Sequence, residues 1–151
     1  MKGDFCIEQN EKGWDWIVGF YSKPAIKSAC LVFQDRHGVD VTFLLFLCWL
    51  DREKRQLTDH YLTVHQRYDR VRKKINLIRK MRRLVSTFSL ARNLKKQLLE
   101  KELVLEKEFF NALSTHQTEK AKSPVLAKNY ITYKGAIPSA AATVFLKLLK
   151  A

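Results

Sequence analysis

The strongest contrast between hydrophobic and polar positions in this chain lies at Val39 to Leu50, VDVTFLLFLCWL, where beyond Asp40 no side chain is more polar than threonine. A helix that is apolar on every side has no face for water and must be enclosed. Its 12 residues fall short of the roughly 20 that cross a bilayer. The run therefore predicts the central strut of a helical domain. Before it, Trp14, Ile17, Val18 and Tyr21 recur at i, i+3, i+4, i+7, which predicts a short helix over 14–22. Pro24 stands where a first-turn proline belongs. Ile26, Ala29, Cys30 and Phe33 then mark a second helix over 25–34. Gly38 can take the left-handed conformation that ends a helix, and Asp40 can cap the strut, so the two helices meet at a tight corner. The tail DREKRQ after Leu50 reads as the strut's exit from the core.

From Thr58 to Leu113 there is neither Gly nor Pro. Tyr61, Val64, Tyr68, Val71, Ile75 and Ile78 step by three and four, a heptad seam along one long helix that starts near Thr58. STFS at Ser86 to Ser89 holds poor helix formers and, in Ser89, a good N-cap, which places a turn there. Leu90, Leu94, Leu98, Leu105, Phe109 and Leu113 line the returning helix, with Leu99, Leu103 and Phe110 widening its apolar side. Residues 114–124 are polar and without period, a mobile loop. Tyr130, Ile131 and Tyr133 are expected to lie extended against the body. Pro138 starts a last helix within 136–151 that packs back through Val144, Phe145, Leu148 and Leu149. The expectation is one all-α domain over 1–151: a bundle of about six helices around the buried helix 39–50, with a long antiparallel pair at about 58–86 and 89–113.

Charge changes this picture more than composition does. With 46% hydrophobic residues, five Gly and three Pro, the chain is an ordinary helical one, but its formal net charge is +13 and its pI about 9.8. Such a balance concerns anionic partners, not fold. Eleven of those charges come from residues 67–96, where twelve basic residues face Asp69 alone. On a helix, Arg72, Lys73, Asn76, Arg79, Lys80 and Arg83 fall opposite the seam as a ribbon about 16 Å long. Solvated helix faces normally interleave acids with bases, and this one has almost no acid nearby in sequence, which makes these six residues the candidate site for an anionic partner. MKGDFCIEQN holds neither a secretory signal nor an anchor, so a cytoplasmic protein is expected. Cys6, Cys30 and Cys48 are odd in number and widely spaced, as expected of reduced thiols.

The spacing W-x-x-x-x-x-x-Y at Trp14 to Tyr21, the run ACLVFQDRHGVDVTFLLFLCWL at Ala29 to Leu50, the basic IRKMRRLV at Ile78 to Val85 and KELVLEKEFFNAL at Lys101 to Leu113 occur in an order that resembles a bacterial family of short cytoplasmic proteins known as a domain of unknown function. That resemblance implies an all-helical bundle of bacterial origin. It carries over no functional residue.

Catalytic and metal chemistry are not expected. The corner at Gly38 fails as a DNA-reading helix-turn-helix because its second helix offers only Phe, Leu and Trp to base edges. Glu102 and Glu106 share a helix face, but no inward Glu-x-x-His pattern accompanies them, and pairing with the basic helix is their expected role. His37, His60, His65 and His116 are expected at turns or helix exteriors. Phosphate-binding glycine loops and zinc spacings are absent, so no cofactor is expected. Gln34, Asp35 and Asp40 around Gly38 form a second polar cluster, read as helix capping before it is read as a site. The expected function is a non-enzymatic, monomeric helical module that binds structured RNA or a ribonucleoprotein through its basic face. The alternative is an adaptor for an acidic protein surface, with Leu99, Leu103 and Phe110 as anchors. An anionic membrane surface ranks third, since the ribbon shows no large apolar residue on its exposed side.

Overall fold

The computed structural model of the protein describes residues 2–88 and 92–151, with side chains described from residue 10. Its Gly38 corner follows from local chemistry. Helix α2 (Pro24–His37) ends at Gly38, which is left-handed at φ 63° and returns its N–H to the Phe33 carbonyl. Two residues on, Asp40 accepts the N–H of Phe43 on Oδ1 at 3.3 Å and starts helix α3 (Val41–Arg52). Gly38→Val should cost about 1 kcal/mol or more, because a β-branched residue is strained at positive φ. A denaturant titration that leaves the midpoint unchanged would refute that expectation.

Helix α3 is the enclosed strut. Phe43, Leu44, Leu47 and Cys48 have no exposure, and α3 packs against helices α1 (Lys2–Tyr21), α6 (Arg92–Leu113) and α7 (Leu126–Tyr133). Helix α1 begins well before the expected Trp14. Its buried face holds Ile17 and Phe20, while Val18 is half-exposed. Gly13 hides this longer helix in sequence, yet it has a packing role. A Cβ there would lie 2.7 Å from Trp49 Nε1 and 2.8 Å from Phe110 Cζ, so the missing side chain is what lets α1 approach α3 and α6.

Several expectations are corrected. The tail after Leu50 does not simply leave the core: Asp51 is buried and accepts the N–H groups of Leu126 (2.9 Å) and Ala127 (3.0 Å), capping α7 from 75 residues away. Tyr130, Ile131 and Tyr133 accordingly lie on a helix, not an extended segment, with Tyr130 and Ile131 fully buried. Strand β1 (Arg55–Leu57) pairs antiparallel with strand β2 (Thr118–Lys120), so the polar stretch 114–124 carries a strand tied at Arg55↔Lys120. The long helix from Thr58 is two: α4 (Tyr61–Gln66), capped by His60, and α5 (Asp69–Val85). They part at Tyr68, whose hydroxyl reaches the Ala112 carbonyl (3.2 Å) and His116 Nε2 (2.5 Å). The heptad seam hid this break because Val64, Ile75 and Ile78 stay buried on both sides of it. Helix α8 (Ala140–Lys150) is capped by Ser139, with Pro138 just outside it, and packs on α2. Eight helices, not about six, are present among the described residues. The architecture is an all-α, single-domain bundle, and α5 and α6 run antiparallel as expected. Ser89 and Leu90, the expected cap and first apolar position of the returning helix, lie outside the described residues.

Candidate anionic-partner interface

The register of α5 decides what its cations do. Ile75 and Ile78 point into the bundle, and Arg79 and Arg82 flank them toward α6. Arg79 Nε donates to Glu102 Oε1 at 3.0 Å and its Nη2 to Glu106 Oε1 at 2.8 Å. Arg82 Nε donates to Glu102 Oε2 at 2.6 Å. Burial by itself would raise the Glu102 carboxyl, but the hydrogen bonds from Arg82 and Arg79 outweigh it and hold that carboxyl below its ordinary range. Burial prevails at Glu106, which is raised despite Arg79 beside it.

The ribbon therefore differs from the acid-poor face read in the sequence. Arg79 is held by Glu102 and Glu106, Arg83 lies 3.4 Å from Asp35, and Arg72 is bonded to Asp69 and lies 3.9 Å from Asp40. Asn76 accepts from Arg79 Nη1 at 3.3 Å. Lys73 and Lys80 remain exposed with no ion pair among the described residues. Except for Asp69, the acids come from α2, the corner and α6, far away in sequence. A helical period gives a side chain's direction on its own helix and not what stands opposite.

Arg72, Asn76, Arg79 and Arg83 line one polar cavity of about 310 Å³ together with Gln34, Asp35 and Asp40. The two clusters read separately in the sequence thus meet. With its amide oxygen turned toward α5, Gln34 accepts from Arg83 Nη2 (3.2 Å) and Arg79 Nη1 (3.3 Å). Asp40 does more than cap α3. Its Oδ2 lies 3.1 Å from His65 Nε2, and its backbone N–H donates to the Tyr130 hydroxyl at 3.0 Å. His65, expected on an exterior, is buried and stacked on Phe43 with ring centroids 4.3 Å apart. The step of four from Tyr61 was the signal that could have placed it inward.

Beside this cavity, and sharing Arg79, Arg83, Gln34 and Thr42 with it, a groove of about 690 Å³ runs between α1, α2 and α6. Val18, Leu31, Leu99 and Leu103, each between 41% and 50% exposed, form its walls, and Lys27, Arg82 and Arg83 lie along it. Phe110 is not among the exposed anchors. It has no exposure and packs its ring against Trp14 and Phe46, at 5.8 Å from each. The outer side of α5 also carries large apolar residues that the sequence reading denied it: Leu77, Met81 and Leu84 are exposed.

Cys30 and Cys48 are buried free thiols. Burial pushes Cys30 up to about 12 and Cys48 well above its ordinary value, so both pack as small apolar groups. Among the described residues, no group of three or more His, Cys, Asp or Glu is placed to hold a metal ion. No described helix is long and apolar enough to cross a membrane.

No curated protein and no solved structure matches this chain. The model of a family of proteins of unknown function, DUF2390, matches residues 12–113, a stretch that holds the Gly38 corner, the strut, the arginine-glutamate network and both walls of the groove. Because that match covers well over half of its 151 residues, the chain belongs to the DUF2390 family.

Proposed function

We propose that this protein is a non-enzymatic adaptor that holds an acidic, apolar-faced helix of a protein partner in the groove between α1, α2 and α6. One observation carries this reading: four exposed apolar side chains from three helices converge on a single concavity edged by cations. Isolated surface leucines need no explanation, but a convergent set in a groove marks a binding surface. A groove between helices receives the apolar face of another helix, with anchors spaced by about one turn, and Leu99 and Leu103 stand one turn apart on α6. Lys27, exposed at the groove's edge and without an ion pair among the described residues, favours an acid on the partner's flank. The structured-RNA reading draws on the same region. Arg72, Arg79 and Arg83 are drawn into contacts with acids, which leaves less free charge for phosphates, and apolar groove walls add nothing to phosphate binding.

A pull-down from lysate, with and without nuclease, tests the choice when paired with Leu103→Glu. Leu103 is 47% exposed, so the change should leave the fold intact. The expected result is a bound protein that survives nuclease and is lost from the Leu103→Glu bait, a loss of about tenfold or more in affinity. Capture that disappears with nuclease and is indifferent to Leu103→Glu would overturn the adaptor reading in favour of RNA.

A further inference from the structure

The outer face of α5 mixes charge and apolar surface in a way the groove does not explain. Leu77, Met81 and Leu84 recur at i, i+4, i+7, and they are 59%, 46% and 66% exposed. Arg70, Lys73, Lys74 and Lys80 share this side and are exposed. From Arg70 to Leu84 the face is about 21 Å long at 1.5 Å per residue and contains no acid. The cations with internal partners, Arg79 and Arg82, point the other way, so the folded ion network removes charge from the inner side of α5 and leaves the outer lysines unaffected.

We infer that this face is a docking surface for an anionic lipid bilayer, with Leu77, Met81 and Leu84 entering the headgroup boundary and Lys73, Lys74 and Lys80 meeting lipid phosphates. Three features select that occupant. The face is the convex side of one helix, which lies tangent to a plane and cannot enclose a partner's helix as the groove can. It offers apolar and cationic groups together, and a bilayer supplies a matching layer for each, whereas nucleic-acid phosphates supply nothing for exposed leucines. A second copy of the chain would set the same lysines against one another, because a two-fold contact is made by the same surface on both sides. The long lysine side chains can lay their methylenes along the apolar residues and keep their ammonium groups at phosphate level. This surface is separate from the groove, so either proposal can fail without the other.

Co-sedimentation of the full chain with vesicles tests it, using phosphatidylcholine alone and phosphatidylcholine mixed with phosphatidylglycerol. The protein should sediment with the mixed vesicles and stay in solution with phosphatidylcholine. Leu77→Gln/Leu84→Gln keeps every charge and replaces exposed side chains only, and it should weaken the partition by about tenfold or more. Lys73→Gln/Lys74→Gln/Lys80→Gln should weaken it to a similar extent and remove most of its salt dependence. The inference is overturned if the wild-type protein ignores the mixed vesicles. It is overturned equally if the leucine pair binds them as well as wild type, which would mean adsorption by charge alone. Tight binding of an RNA duplex that the leucine changes do not affect, with no vesicle binding, would assign the lysines to nucleic acid instead.

Discussion

Phe46→Asp should leave no cooperatively folded protein at room temperature. Phe46 is 1% exposed at the middle of α3, and its ring makes a T-shaped contact with Phe110, which is itself wholly enclosed. Removing such a ring costs about 3–5 kcal/mol in lost burial and a residual cavity. An unpaired carboxylate in its place adds several kcal/mol of desolvation or forces the acid to protonate. Set against a typical total stability of about 5–15 kcal/mol, the sum is enough to unfold the domain. Leu45→Asp is the internal comparison. Leu45 is buried but borders the groove, so its carboxylate has a route to water and the loss should be smaller. Thermal melts followed by far-ultraviolet circular dichroism read both. A wild-type transition in the Phe46 variant would mean that α3 is not the centre of the fold.

The second large effect is expected at Glu102, the acid shared by Arg79 and Arg82. Its side chain is 6% exposed, and those of the two arginines are 15% and 25% exposed. Breaking a buried pair costs more than the pair contributes, because the remaining charge is stranded. Glu102→Ala should therefore destabilise the protein by about 3–5 kcal/mol. Replacing the whole network, Arg79→Met and Arg82→Met together with Glu102→Leu and Glu106→Leu, removes all four charges at similar volume and should recover much of that loss.

Acidity adds a signed test. The Glu102 carboxyl is held below its ordinary value of 4.5, so its contribution is present above that pH and is lost as pH falls through the lower folded value. The stability gap between wild type and Glu102→Ala should thus narrow in acid. Glu106 works in the opposite direction. Burial raises it, so it takes a proton more readily in the folded protein and its protonation favours the fold. Denaturant midpoints of both proteins measured from neutral pH downward decide the matter, and a gap that stays constant below pH 4.5 would show that Glu102 is not the titrating partner.

Features that depend on neighbours along the chain were legible in the order of residues alone. An apolar run with no polar face had to be enclosed, a glycine between two helical patterns had to take the left-handed turn, and an aspartate two residues later was placed to cap the next helix. Each rests on period, local hydrogen bonding or a backbone restriction, all acting within a few residues. Which groups meet across the bundle followed from packing. Glu102 and Glu106 lie more than 20 residues from Arg79, Asp51 reaches amides 75 and 76 residues away, and Arg55 pairs with Lys120, 65 residues further on. The same limit governed the basic helix. Its period placed Arg79 and Lys80 side by side on one expected ribbon, but a rotation of 100° between neighbours carries one toward the buried glutamates of α6 and the other to solvent, and the position of α6 is set by the packing of the whole bundle.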